Sequence, residues 1–180
     1  MNNVKLLVTA VGPDRVGFVD EITGVLVSHG ANVEESRMAR LTGEFAALLL
    51  VEVTDNKIEQ LKRELASLRG MEVWVRPVKP DQSGFFQDYQ LYTLAVNGAD
   101  HEGIIKTIAH ALNRLGINIA ELESDVVYAP TTGSPLFNMR AVLQVPPSLS
   151  IETVQESLNS AGNEMCVSVQ LEKAHALGKG

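Results

Sequence analysis

The chain repeats itself. Sliding the sequence by 86 positions carries Gly12 onto Gly98, Asp14 onto Asp100, Gly17 onto Gly103, Ile22 onto Ile108, Leu26 onto Leu112, Gly30 onto Gly116 and Asn32 onto Asn118, with no gap. One ungapped offset that matches glycines, apolar and polar residues alike marks a duplicated unit, and a unit of this length is a small domain rather than a short structural repeat. The 180 residues are therefore read as two such domains in series. Small domains bury only about 60% of their unfolded surface. The pair is expected to gain stability by packing together or by forming a homo-oligomer.

Within the first copy, a β-rich apolar run from Val4 to Val11 is broken by the Gly12-Pro13-Asp14 turn. Phe18, Ile22, Val25 and Leu26 then recur at helical spacing, with Asp14 as the expected N-cap and Gly30 as the stop. Asn32 to Leu41 and Glu44 to Val53 read as strands joined tightly at Thr42 and Gly43, and Ala46 to Val51 as the heart of a central strand. Ile58, Leu61, Leu65 and Leu68 give a second helix face, and Met71 to Val75 a closing strand. The order is β-α-β-β-α-β.

The second copy repeats it. Tyr89 to Val96 is a strand, and Ile105, Ile108, Leu112 and Leu115 mark a helix. Asn118 to Val127 and Leu136 to Val145 are strands, Ile151, Val154 and Leu158 mark a helix, and Met165, Val167, Val169 and Leu171 alternate as a last strand. The domains run from residue 1 to 78 and from 89 to 172. A linker at 79–88 carries Pro80 and Gly84, with Phe85 and Phe86 expected to dock it onto a domain, and a flexible tail occupies 173–180.

Ligand chemistry is concentrated in the turn after each first strand, Gly12-Pro13-Asp14-Arg15-Val16-Gly17 and Gly98-Ala99-Asp100-His101-Glu102-Gly103. Each opens a helix, whose unpaired N–H groups and partial positive charge attract a carboxylate, while glycine allows a ligand close to the backbone. The structural alternative is that Asp14 and Asp100 only cap helices and the glycines only permit turns. Asn32 and Asn118 open the second strand of each copy, where an amide can donate and accept, or serve the local turn. Arg15 and His101 hold matching positions with different chemistry, so the two turns are expected to differ in their work.

Other chemistry is excluded or weak. A formal charge of −7 opposes direct nucleic-acid binding. Cys166 is the only cysteine, so there is no internal disulfide or paired-cysteine site, and a reducing cytoplasm is expected. Cys166 itself, among apolar strand residues, is read as inert. His29, His110 and His175 lack partners at metal-ligand spacing, so no metal and no cofactor are expected. No run of apolar residues is long enough for a membrane span, and no hydrolase or phosphate-loop signature occurs, so no catalytic residue is assigned.

A strand, then Asp-Arg-x-Gly, then a helix ending in Gly-x-Asn before a second strand resembles the ACT domain, an amino-acid-sensing module. Gly-Pro-Asp-Arg-Val-Gly at residues 12–17 and Gly-Ala-Asn-Val-Glu-Glu-Ser-Arg at 30–37 carry the likeness, and tandem copies extend it from residue 4 to about 172. The second copy departs by reading Asp-His-Glu-Gly. The resemblance implies an α+β chain of two ferredoxin-like domains, each an antiparallel sheet with helices on one face. It implies a non-catalytic regulator that binds a small amino acid, glycine or serine, and acts on transcription or on an enzyme through a partner protein. Its ligands commonly sit at interfaces, held by the turn of one domain and strand residues of another. Carried over, the site residues are Gly12, Asp14, Arg15 and Gly17, then Gly98, Asp100 and Gly103, with Asn32 and Asn118.

Three readings compete. An acylphosphatase-like hydrolase shares the strand order and would cast Arg15 and Asn32 as catalytic, although Pro13 lacks an N–H and Asp14 would repel an anion. An RNA-recognition domain would need aromatics on its central strands, which Ala46 to Val51 lacks. A ligand-free ACT scaffold, or the regulatory subunit of an amino-acid enzyme, keeps the fold without a sensor.

Overall fold

A computed structural model describes residues 2–78, 86 and 88–174. The chain divides into two compact units, Met1–Gln82 and Ser83–Gly180. Of the linker and tail, Pro80, Gly84, Phe85 and His175 lie outside the described residues. Phe86 packs edge-on against Tyr89, with ring centroids 5.1 Å apart.

In the first unit, β1 (Asn3–Pro13) is followed by α1 (Phe18–Ser28), β2 (Asn32–Leu41), β3 (Glu44–Thr54), α2 (Ile58–Ala66) and β4 (Glu72–Pro77). The sheet order is β2-β3-β1-β4, with every neighbouring pair antiparallel. Alternation decides which face is covered. Leu6, Val8 and Ala10 of β1 and Ala47, Leu49, Val51 and Val53 of β3 point to one side, where Phe18, Ile22, Leu26, Leu61 and Leu65 of the helices meet them. Burying a leucine-sized side chain contributes about 1.5–3 kcal/mol, so this layer dominates the unit's stability.

The second unit repeats the plan as β5 (Gln90–Ala99), α3 (Ile104–Arg114), β6 (Asn118–Tyr128), β7 (Pro135–Val145), α4 (Ile151–Glu164) and β8 (Val167–Lys173), in sheet order β6-β7-β5-β8. The expected α+β, ferredoxin-like architecture is present in both units. Even small features repeat, including a bulge early in the edge strand, between Val33 and Glu35 and between Ile119 and Glu121. Gly30 (φ 66°) and Gly116 (φ 68°) end the first helix of each unit, letting the next N–H bond back to Leu26 O at 2.9 Å and Leu112 O at 3.1 Å.

Some details differ from the expectation. Ile104, not Ile105, begins the buried stripe of α3; Ile105 is 41% exposed. Both are apolar, so spacing alone left the phase of the helix open by one residue. Arg76 and Pro77 extend β4, and Lys173 extends β8, because pairing with Leu7, Leu6 and Tyr92 carries each strand further than its apolar run. Cys166 is not a strand residue: it is exposed in a left-handed conformation (φ 52°) just before β8.

Candidate functional site

The turn after β1 is built from the backbone outward. Pro13 pairs with Glu44 at the end of the sheet, and the Asp14 N–H donates to Gly43 O at 2.8 Å. Gly17 then adopts φ 91°, ψ −7° and stands as the N-cap of α1. The second unit matches this closely: the Asp100 N–H donates to Pro135 O at 3.1 Å, and Gly103 caps α3 with φ 95°, ψ −6°. Neither helix has a side-chain cap hydrogen bond. The expectation that Asp14 caps the helix is thereby corrected: the left-handed glycine takes the cap, three residues further on, and the aspartate side chain is left outside. The Asp14 carboxylate is exposed, 3.8 Å from the Arg40 guanidinium.

The glycines that begin the turns have a packing role. A Cβ on Gly12 would stand 2.3 Å from Gly70 O, and one on Gly98 would stand 2.7 Å from the Val167 side chain. The space that their missing side chains leave is taken by the chain's own final strand and its approach, not held open for a ligand.

Arg15 and His101 turn out to share a task. Arg15 makes a two-pronged pair with Glu21, at 2.6 and 2.7 Å, and reaches Arg69 O at 3.4 Å. His101 Nε2 lies 2.7 Å from Met165 O and its Nδ1 lies 3.2 Å from Glu102 O. Each side chain thus ties its turn to the segment that precedes the last strand of its unit. The hydrogen bond from Arg15 holds the Glu21 carboxyl below its usual value and the guanidinium above its own. The carbonyl of Met165, then that of Glu102, hold the His101 imidazole above 6.5, since two acceptors are served together only by the protonated ring.

The asparagines lie elsewhere. Asn32 pairs with Glu52 of β3, which in turn pairs with Lys5 near the start of β1. The turn adjoins Glu44, eight residues back along β3, a separation of roughly 26 Å at about 3.3 Å per residue. Asn118 is equally remote from its turn, and its amide N–H bonds to the Gln144 side chain. Within one unit, then, the turn residues converge and the asparagine does not join them. In the first unit the bulge residue Glu34 bonds Lys5 at 2.7 Å beside Asn32.

Other candidates resolve plainly. His29 is buried, 4% exposed, with Nδ1 3.0 Å from Val25 O and Nε2 3.5 Å from Glu64, and His110 is exposed. Among the described residues no group of three or more His, Cys, Asp or Glu could hold a metal, and no helix is long and apolar enough to cross a membrane. Sequence reasoning missed Glu21, the partner of Arg15, and Gly70, against which Gly12 packs. It also missed a groove on the outer face of the first sheet, lined in part by Leu7, Leu48, Leu50 and Arg76. The one available signal for the groove was the unbroken apolar run Phe45 to Val51, which puts apolar groups on both faces of β3.

Comparison with known proteins follows the same lines. Residues 5–72 match the ACT domain. Over 169 residues the chain is 26% identical to the glycine cleavage system transcriptional repressor of Escherichia coli (strain K12), covering 89% of this chain and 85% of that one. The crystal structure of an unknown protein from Galdieria sulphuraria superposes with a TM-score of 0.85 at 32% identity, over 97% of this chain and 100% of the other. A structure assigned as a glycine cleavage system transcriptional repressor superposes with a TM-score of 0.72 at 19% identity, over 97% and 99%, a likeness of fold.

Proposed function

Because the chain belongs to the ACT-domain family, we propose that it is a non-catalytic regulator that binds a small amino acid at its turns and passes the signal to a partner protein. The observation that carries this reading is the turn built twice, with a left-handed glycine opening a helix in each unit and no side chain occupying the cap. Helix N–H groups at such an end can receive a carboxylate. Glycine and serine are the first ligands to test, since the similar Escherichia coli protein is a glycine cleavage system regulator. Each of the four helices packs an apolar face into the core of its unit, and the chain carries a net charge of −7. Both features favour action through a transcription factor or an enzyme over direct contact with nucleic acid.

The remote asparagines fit this reading if the site is completed by a second copy of the chain. β2 is an edge strand, exposed along its whole length, and β1 and β2 run parallel. A second copy laid antiparallel along β2 would bring its Asn32 toward the first copy's turn. A ligand that favours one such arrangement shifts its population by linkage, and a partner reads the shift. Glycine has five heavy atoms, so a ceiling of about −1.5 kcal/mol per atom limits its affinity to roughly micromolar, adequate for an abundant metabolite.

The hydrolase alternative needs Arg15 and Asn32 at one point. In the first unit Arg15 is held by Glu21 at one end of the sheet and Asn32 lies at the other.

Calorimetric titration of the whole protein with glycine, serine and the remaining amino acids tests the proposal. Saturable binding, weakened about tenfold or more in Asp14→Ala, is the expected result. Asp14 contributes only an exposed carboxylate to the fold, so the variant should remain native. Absence of binding by every amino acid at millimolar concentration would leave a scaffold of two ACT domains and overturn the sensor.

A further inference from the structure

The face of the first sheet turned away from its helices is unlike the matching face of the second. In the first unit, two rows cross it: Glu35, Leu50, Leu7 and Arg76, then Arg37, Leu48, Thr9 and Trp74. In the second unit, the same rows read Glu121, Val142, Thr93 and Glu172, then Glu123, Arg140, Ala95 and Gln170. The fold is common to both, so the sheet can be built with a polar outer face. Leu7, Leu48 and Trp74 on the first face are therefore not demanded by the fold. Leu48 is 42% and Trp74 56% exposed, a standing cost of apolar surface in water.

The first of these rows, with Leu48 and Arg37 beside it, lines a groove of about 510 Å³, within the size range of small-molecule sites. Its floor is leucine. On one side stands Arg76, exposed and with no ion-pair partner among the described residues; on the other, Glu35 pairs with Arg37 at 3.2 Å. A guanidinium at the border of an apolar floor matches a ligand with a carboxylate at one end and a branched hydrocarbon body behind it.

We propose that this groove binds an apolar carboxylate, with the carboxylate on Arg76 and the hydrocarbon body over Leu7, Leu48 and Leu50. Where Arg76 stands, the second unit has Glu172, and where Leu7 and Leu48 stand it has Thr93 and Arg140, so the matching face of the second unit does not repeat the site. The groove shares no residue with the turn and does not depend on it. Two sources supply this chemistry, an apolar α-amino acid and the corresponding 2-oxo acid. They differ at the carbon beside the carboxylate, which carries an ammonium group in the first and a carbonyl group in the second.

Trp74 is the chain's only tryptophan and lies two residues from Arg76 on the same face, so its emission reports occupancy. The whole protein is titrated with leucine, with 4-methyl-2-oxopentanoate and with glycine while Trp74 fluorescence is followed. A saturable change with one or both leucine-skeleton carboxylates and none with glycine is expected. The dissociation constant should rise about tenfold or more in Arg76→Gln and stay unchanged in Asp14→Ala. Binding of leucine about tenfold or more tighter than of 4-methyl-2-oxopentanoate would identify the amino acid as the source, and the reverse order would identify the 2-oxo acid. Circular dichroism and melting of Arg76→Gln should match the parent, since Arg76 makes no ion pair among the described residues. No emission change with either carboxylate at millimolar concentration, or binding unaltered by Arg76→Gln, would overturn the site. So would Trp74 emission that is already that of a buried indole and moves only when Leu48→Glu dissociates an oligomer, which would make the face a protein contact. Because Asp14→Ala separates the two sites, failure here leaves the proposed sensor standing.

Discussion

At the scale of single residues, the turns are governed by steric and electrostatic facts of opposite visibility. Gly12 has its would-be Cβ 2.3 Å from a backbone oxygen, which no rotamer can relieve. Gly12→Ala is expected to destabilise the protein by about 2–3 kcal/mol, measured by denaturant unfolding, because the overlap must be absorbed by moving β1 away from Gly70. Gly17→Ala meets no such wall and should cost less, about 1–2 kcal/mol, from its φ of 91°. Equal losses in the two variants would contradict this division of roles. His101 gives a pH signature. Its imidazole is raised above 6.5 in the folded protein, first by the Met165 carbonyl and then by that of Glu102. The protonated ring therefore favours folding. Its stabilisation is complete below the ordinary value of 6.5 and is lost as pH rises through the raised one. His101→Ala should lower the melting temperature more near pH 5.5 than near pH 8.5, with "near" meaning about half a unit either way. A deficit that grows with pH would show that the ring is not held by those carbonyls. The turn motif and its glycines were legible in the sequence. The capping role was not, because a positive φ is a property of the path that the chain takes and Asp14 is as good a capping residue on paper as any.

At the scale of elements, most helices and strands follow from periodicity, and their ends follow from local chemistry that differs from helix to helix. α1 and α3 start at left-handed glycines, whereas α4 starts at Ser150, whose Oγ accepts from the Thr153 N–H at 3.2 Å. Ser150→Ala should cost about 1 kcal/mol and fray the first turn of α4, seen as faster amide exchange at Thr153 and Val154. Unchanged exchange there would mean that packing of Val154 and Leu158 fixes the helix start alone. The position of Asn32 was also legible, in topology rather than in residue type. A strand, a helix and a parallel strand return the chain to the end of the sheet at which the first strand began, so the second strand begins at the end opposite the first turn. The phase of α3 was not legible, since Ile104 and Ile105 are equally apolar and only the sheet beneath decides which is buried.

At the scale of the whole molecule, duplication has kept a skeleton and released the surfaces. Cores, bulges, helix stops and turn geometry coincide in the two units, while Arg15 and His101 reach the same place by different chemistry, and the outer sheet faces exchange leucine, tryptophan and arginine for threonine, glutamine and glutamate. The core was readable because burial imposes a period. The outer face was not, because an exposed leucine looks in sequence like a buried one. The central claim, that the turns receive an amino acid, is tested most directly by recording amide resonances of the whole protein during titration with glycine and with serine. The account predicts saturable shifts centred on Asp14 to Gly17, at Asp100 to Gly103, or at both, and their loss in Asp14→Ala for the first turn. Resonances of both turns that stay fixed at millimolar glycine and serine, in a protein whose other signals show it folded, would contradict it.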